Sequence, residues 1–203
     1  MSAKKEVGIG ETLQRLREAR GISLRSLASQ AGFSPSFVSQ VENGLTSPSI
    51  ASLGRLAQCL GVGLSDFFDE VEGDQSGVAR SAQRRNLIST WSRARLEALV
   101  PHGALATLEG LLLTIEPGGR SGKRPSVQPA EQLAVVLEGR LHLSIGAELH
   151  VLDAGDAAAV PAGAAQLWEN REELPARLIL VQARPPVPVG SSREGSKRPA
   201  ADP

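Results

Sequence analysis

From Ser34 to Gly44 the chain reads SPSFVSQVENG, eleven residues whose hydroxyls and amides are spaced to share one side of a short helix. Ser34 is suited to accept from the first free backbone N–H groups, Pro35 fits the first helical position, and Asn43-Gly44 is a left-handed stop. The helix so bounded is about two and a half turns long. At helical spacing Phe37, Val38 and Val41 fall on one side and Pro35, Ser36, Ser39, Gln40 and Asn43 on the other. Small hydroxyls and an amide on an exposed face approach base edges and phosphate oxygens closely, which is the chemistry of a helix that reads duplex DNA.

Such a helix must be held from behind, and the preceding residues supply the support. Ser23 caps LRSLASQAG, where Leu24, Leu27, Ala28 and Ala31 recur at helical spacing before Gly32 ends the run. Two short helices meeting across a glycine turn are the grammar of a helix-turn-helix. With PSFVSQVENG followed by PSIASLGRLAQCLGV, residues 8 to 68 resemble the phage-repressor type of helix-turn-helix domain, the xenobiotic-response-element family. The resemblance implies that Ser36, Ser39 and Gln40 line the groove and that Arg25 touches the phosphate backbone. It also implies a structural pair between Arg17 and Glu42 that fixes the angle between helices. Ser23, Ser34, Pro35, Asn43, Thr46 and Ser47 complete the expected DNA-contacting set, the last two as hydroxyl donors to phosphate.

The other elements of this half follow the same periodicity. A first helix over 8 to 20 buries Ile9, Leu13 and Leu16 and stops at Gly21; a fourth over 49 to 60, capped by Ser49, buries Ile50, Leu53, Leu56, Ala57 and Leu60. GVGLSDFF predicts a fifth, short helix in which Leu64, Phe67 and Phe68 close the core. Residues 70 to 86 are rich in Gly, Ser and charge and read as a linker, with Arg84 and Arg85 as solvated charges.

With 22 basic and 22 acidic residues in 203, no overall charge draws the chain to nucleic acid. The distribution is uneven: residues 1 to 60 carry seven Lys and Arg against four acids, whereas 96 to 184 carry seven against eleven. The single cysteine, Cys59, lies in an apolar helical pattern and has no partner for an intramolecular disulfide, which fits a reducing cytoplasm. No apolar run reaches membrane length, and the N-terminus has no signal-peptide core, so a cytoplasmic protein is expected.

From about residue 87 the period changes to two. LEGLLLTIEP, QLAVVLEG, RLHLSIG, LHVLDAGDAAAVP and ARLILVQA are short strands separated by Gly, Pro and Asp turns. EPGGRSG, then VLEGRLHL, then LDAGDAAAVPAGAAQLWEN make residues 105 to 184 similar to a cupin, a small jelly-roll β-barrel. The second cupin signature falls on Gly155, Pro161, Gly163, Gln166 and Asn170, with Gln166 where the family has histidine. In the first signature the glutamate position falls on Gln132 and the histidine positions on Ser126 and Gln128. A metal here needs imidazoles and a carboxylate converging on one point, and amides are poor substitutes, so no metal cofactor is expected. Glu131 is one residue off that frame and is expected outside the barrel. His142, His150 and His102 read as surface residues. A barrel of this kind remains a concave container, and Ser126, Gln128, Gln132, Gln166 and Trp168 form the expected pocket for a small polar metabolite.

The fold class is therefore multidomain, α then β: a five-helix helix-turn-helix DNA-binding domain followed by a cupin barrel. The expected organisation is an arm (1–7), the DNA-binding domain (8–69), a linker (70–86), the barrel (87–184) and a disordered tail (185–203). The two halves together predict a ligand-responsive transcriptional regulator, a repressor, that binds an operator in double-stranded DNA as a homodimer and is not an enzyme. The competing prediction is a cupin enzyme, a metal-dependent dioxygenase or isomerase with an autoregulatory DNA-binding head.

Overall fold

The structure is a computed structural model describing residues 8–68, 77–100 and 107–184. The expected arm, the tail, the first part of the linker (70–76) and His102 lie outside those residues. Four α-helices come first: α1 (Ile9–Glu18), α2 (Leu24–Ala31), α3 (Pro35–Glu42) and α4 (Ile50–Leu60). Three of their N-termini are capped by the serines that the sequence singled out. Ser23, Ser34 and Ser49 each accept from the N–H three residues on, at 3.1, 3.2 and 3.1 Å. Gly21, Gly32, Gly44 and Gly61 take the left-handed conformation at the helix ends, with φ between 65° and 68°.

The expected fifth helix is a 3₁₀ helix, Leu64–Phe68, so the head has four α-helices rather than five. Asp66 explains the difference, because its carboxylate accepts from Gly63 N–H at 2.9 Å and ties the segment into one tight turn. Phe67 is fully buried there, in one core with Leu13, Leu27, Val38, Leu53 and Leu56. The part of the linker that is described is structured as well. Ser81–Gln83 forms a 3₁₀ turn, Asn86 already begins a strand, and Arg85, expected as a solvated charge, donates from Nη1 to Phe68 O at 3.1 Å.

Ten strands follow: β1 (Asn86–Ser89), β2 (Ala94–Ala98), β3 (Leu108–Ile115), β4 (Ser126–Val127), β5 (Gln132–Glu138), β6 (Arg140–Ile145), β7 (Glu148–Asp153), β8 (Ala157–Val160), β9 (Ala165–Glu169) and β10 (Ala176–Ala183). They make two antiparallel sheets, ordered β1-β2-β3-β10-β5-β8 and β4-β9-β6-β7. Alternate residues of the facing strands fill the space between them, among them Leu96, Leu111, Leu113, Leu141, Leu143 and Leu178. Asn170 closes the second signature structurally. It is buried, donates from Nδ2 to Ile115 O and Leu174 O at 2.8 Å each, and accepts from Glu172 N–H at 2.9 Å. His142, expected on the surface, is only half-exposed, because β6 lies inside its sheet between β9 and β7. His150, on the edge strand β7, is half-exposed as well, with Nε2 3.5 Å from a Glu148 oxygen.

The two halves are joined by hydrogen bonds at the start of α4. Its first-turn N–H groups, which no helix can satisfy internally, go to the barrel: Ile50 N–H donates to Ser92 Oγ at 3.2 Å and Ala51 N–H to Ser121 O at 2.9 Å. Ser89 Oγ donates to Pro48 O at 2.7 Å, and Arg184 pairs with Asp66.

Candidate functional sites

On the head, the helix-turn-helix presents the surface its sequence implied. Ser34, Pro35, Ser36, Gln40 and Asn43 are exposed on α3, Ser39 is half-buried, and Ser23 and Arg25 are exposed at the start of α2. Two polar groups are partly engaged with their own helix: Asn43 donates to Ser39 O at 2.7 Å, and the Ser34 and Ser36 hydroxyls lie 3.0 Å apart. Gln40 is exposed on that face, and its side chain bonds to none of the described residues. Of the two loop hydroxyls expected at phosphate, Ser47 Oγ accepts from Thr90 N–H of the barrel at 3.2 Å. Ser47 therefore belongs to the junction between the halves as well as to the loop. Thr46 is half-buried beside it.

The orientation of α3 is set by Arg17 and Glu42. Arg17 donates from Nε and Nη2 to the two Glu42 oxygens at 2.7 and 3.0 Å, and from Nη1 to Ile22 O at 3.0 Å. The hydrogen bond to Glu42 holds the guanidinium above its ordinary pKa against the opposing effect of burial. Behind the turn, the Arg55 guanidinium lies 4.2 Å from the centre of the Phe33 ring, which in turn meets Phe37 at 4.8 Å. Cys59 is half-buried rather than fully enclosed, and burial pushes its thiol pKa up, with Arg55 pulling the other way.

In the barrel, Ser126, Gln128, Gln132, Gln166 and Trp168 come together, since all five line one interior cavity. That cavity holds only about 40 Å³, because Ile50, Ala51 and Leu64 of the head close it from above. It is too small for a metabolite in this conformation. Gln128 and Gln132 also reach a second, open cleft of about 1070 Å³ between α4 and the barrel rim.

The amides form a continuous ladder. Trp168 Nε1 donates to Gln166 Oε1 at 3.2 Å, Gln166 donates to Gln132, Gln132 to Gln182, and Gln182 to Glu109. Ser65 of the head completes it, donating to Glu109 Oε2 from its N–H at 3.1 Å and from its hydroxyl at 2.9 Å. The direction is fixed from the Trp168 end, since an indole N–H can only donate and each amide must then pass its own N–H onward. Strand register builds the ladder: Gln182 of β10 faces Glu109 of β3 on one side and Gln132 of β5 on the other, and Gln166 reaches across from the second sheet. Glu109, Gln182 and Ser65 were not singled out in the sequence, although a lone carboxylate in LEGLLLTI and a lone amide in ARLILVQA interrupt otherwise apolar strands. Glu131 is exposed, off the ladder, as its one-residue offset implied.

This donor set does not fit a metal. Each ladder amide oxygen already accepts an N–H, the nitrogens of amides are no ligands, and among the described residues no three His, Cys, Asp or Glu side chains converge.

Gly63 exists for this junction. A Cβ there would lie 2.4 Å from Glu109 Oε2 and 3.2 Å from Ser65 Oγ. Gly63→Ala is expected to displace the Glu109 carboxylate, losing about 1–3 kcal/mol through unmade buried hydrogen bonds. Calorimetry checks this: the parent should unfold in one transition and the variant in two, head before barrel. A single transition at the parent temperature would mean that the junction carries no coupling.

Two family models match the chain, one described as helix-turn-helix over residues 13–67 and one as cupin domain over residues 111–182. The HTH-type transcriptional regulator PuuR of Escherichia coli (strain K12) is 31% identical over 172 residues, covering 84% of this chain and 91% of that protein. SutR of the same organism, also an HTH-type transcriptional regulator, is 26% identical over 165 residues, covering 81% of this chain and 88% of its own. Among solved structures, an HTH_3 family transcriptional regulator from Vibrio cholerae superposes with a TM-score of 0.69 at 25% identity, over 88% of this chain and 96% of the other.

Proposed function

The chain belongs to the family of helix-turn-helix transcriptional regulators that end in a cupin domain, a DNA-binding regulator by descent, and from that premise we propose a cytoplasmic repressor that senses a small polar molecule. In this reading it binds its operator as a homodimer, because recognition helices of this kind read two half-sites about one helical turn apart. The edge strand β7 turns Leu149 and Val151 outward, 50% and 51% exposed, which supports an interface on the barrel. Sensing is metal-free and non-catalytic, as a lining of amides already engaged with one another favours.

One observation carries the proposal: the DNA-binding head is hydrogen-bonded, through Ser65, to the end of a polar ladder that starts in the barrel interior. A molecule that rearranges the ladder changes how the head is held. Its differential affinity for the two arrangements is the whole of the coupling. The test is anisotropy of a labelled operator, selected from random duplexes by the protein itself, against a metabolite panel. A regulator of this kind releases or tightens with at least one class of compound. No response from any class would leave the barrel a dimerisation module alone.

The base-reading role of α3 has its own test. Gln40→Ala is expected to weaken operator binding by about 1–3 kcal/mol while leaving binding to scrambled duplex and the melting temperature unchanged. An equal loss on both duplexes would make Gln40 a backbone contact.

A further inference from the structure

We infer that the cleft between α4 and the barrel rim binds a small organic cation whose ammonium or guanidinium takes Glu109 in place of Ser65 and so unseats the DNA-binding head; the inference rests on the ligand-responsive reading above.

The first argument is charge. Glu109 is 1% exposed and lines the cleft, yet every group that donates to it is neutral: the Ser65 N–H, the Ser65 hydroxyl and the Gln182 amide. Among the described residues no Lys, Arg or His pairs with it. Arg184, which also lines the cleft, is committed to Asp66. Glu131 adds a second carboxylate at the rim. A buried carboxylate without a counter-charge is expensive, and neutral hydrogen bonds offset only part of that expense. A cation supplies the missing charge and a stronger, charge-assisted hydrogen bond.

The second argument is shape. The cleft, about 1070 Å³, is walled by Ala57, Leu108, Leu133, Pro161 and Val181, so the cation that suits it carries an apolar body. An anion would meet two carboxylates there, and a neutral alcohol would add nothing that Ser65 does not already provide.

The third argument is what the cation displaces. Glu109 has two oxygens, one accepting from the ladder and one from Ser65. Giving the second to a ligand removes both hydrogen bonds from Ser65 at once and leaves the Leu64–Phe68 turn, on which the head's Phe67 is anchored, held to the rest of the chain by the Asp66–Arg184 pair and the Arg85 hydrogen bond to Phe68 O. Binding and docking therefore compete for one carboxylate. Linkage then requires that the cation and the docked head weaken each other by the same factor.

The experiment uses the full chain with n-butylammonium, n-butylguanidinium, butyrate and n-butanol at matched ionic strength, read by thermal shift and by anisotropy on the selected operator. A saturable response to a cation and none to butyrate or butanol is expected. Glu109→Gln should lose about tenfold or more in cation affinity, and Ser65→Ala, which keeps the carboxylate and removes a competing donor, should bind the cation more tightly than the parent. Equal shifts with all four probes, a cation response that survives Glu109→Gln, or weaker cation binding in Ser65→Ala would each overturn the inference. If Glu109→Gln does not fold, Ser65→Ala decides alone. Intact operator binding with no cation response sinks only this inference, whereas failure to enrich any operator sinks the regulatory reading on which it rests.

Discussion

Glu42→Ala will destabilise the DNA-binding head by about 3–5 kcal/mol, the loss expected when one partner of a buried ion pair is removed and the other stays. The Arg17 and Glu42 side chains are 11% and 6% exposed, so both charges are largely shielded from water. Alanine at 42 leaves the Arg17 guanidinium with the Ile22 carbonyl and the exposed Glu18 carboxylate, 3.5 Å from Nη2, and without the two Glu42 oxygens that had met it in a fork. The effect should be nearly the same across neutral pH as far as Arg17 is concerned. Its pKa is raised above the ordinary value on folding, mainly by the hydrogen bond to Glu42, so its contribution is fully present below the unfolded value and is lost only as pH rises through the folded one, in strong alkali. Urea unfolding checks the size. A double replacement, Arg17→Met with Glu42→Leu, should recover much of the loss, since an apolar pair leaves no stranded charge. A loss under about 1 kcal/mol in Glu42→Ala would mean that the pair behaves as a solvated surface bridge.

How much of this was legible in the sequence depended on how local the signal was. Ser23, Ser34 and Ser49 act within three residues of themselves, and each caps the helix it was expected to cap. Leu64 to Phe68 gave the right core residues but the wrong helix type, because the choice between α and 3₁₀ turns on Asp66 reaching back to Gly63, a hydrogen bond that periodicity does not register. Strands β3, β5, β6, β7, β8 and β10 declared themselves as short apolar or alternating runs, whereas β1, β2 and β4 did not; Gln132 and Gln166 stood out by their places in the cupin signatures and Trp168 by its spacing from Gln166. Glu109 and Gln182 are marked locally only as polar interruptions of apolar strands, which does not say that they meet: they do so 73 residues apart, through the register of β3, β10 and β5. The small size of the interior cavity was equally out of reach. It depends on Ile50 and Leu64, whose apolar spacing says only that they face a core and not that they face the barrel, and on Ala51, which the spacing does not mark at all. Ser47 shows the same limit, since an exposed loop hydroxyl beside a recognition helix reads as a phosphate donor until Thr90 is brought to it.

The same tertiary closeness makes one methyl group decisive. Gly10 lies in α1 against the end of the recognition helix, and a Cβ there would fall 2.4 Å from Glu42 O, 2.5 Å from Val41 O and 2.8 Å from Glu42 C. All three obstacles are backbone, so no side chain can rotate aside and the helices must part. Gly10→Ala is expected to destabilise the head by about 3 kcal/mol, the upper end of the range for overpacking. The sign is informative, because on helix propensity alone the replacement should stabilise by about 1 kcal/mol. Parting α1 from α3 also lengthens the Arg17–Glu42 hydrogen bonds, so Gly10→Ala and Glu42→Ala should together cost less than the sum of the two. Where Gly10→Ala remains folded, the recognition helix is tilted, and operator affinity should fall more than affinity for scrambled duplex. Thermal unfolding with anisotropy on both duplexes measures each consequence. A variant as stable as the parent, or more so, would show that α1 does not approach the recognition helix this closely and that its tilt is set by the Arg17–Glu42 pair alone.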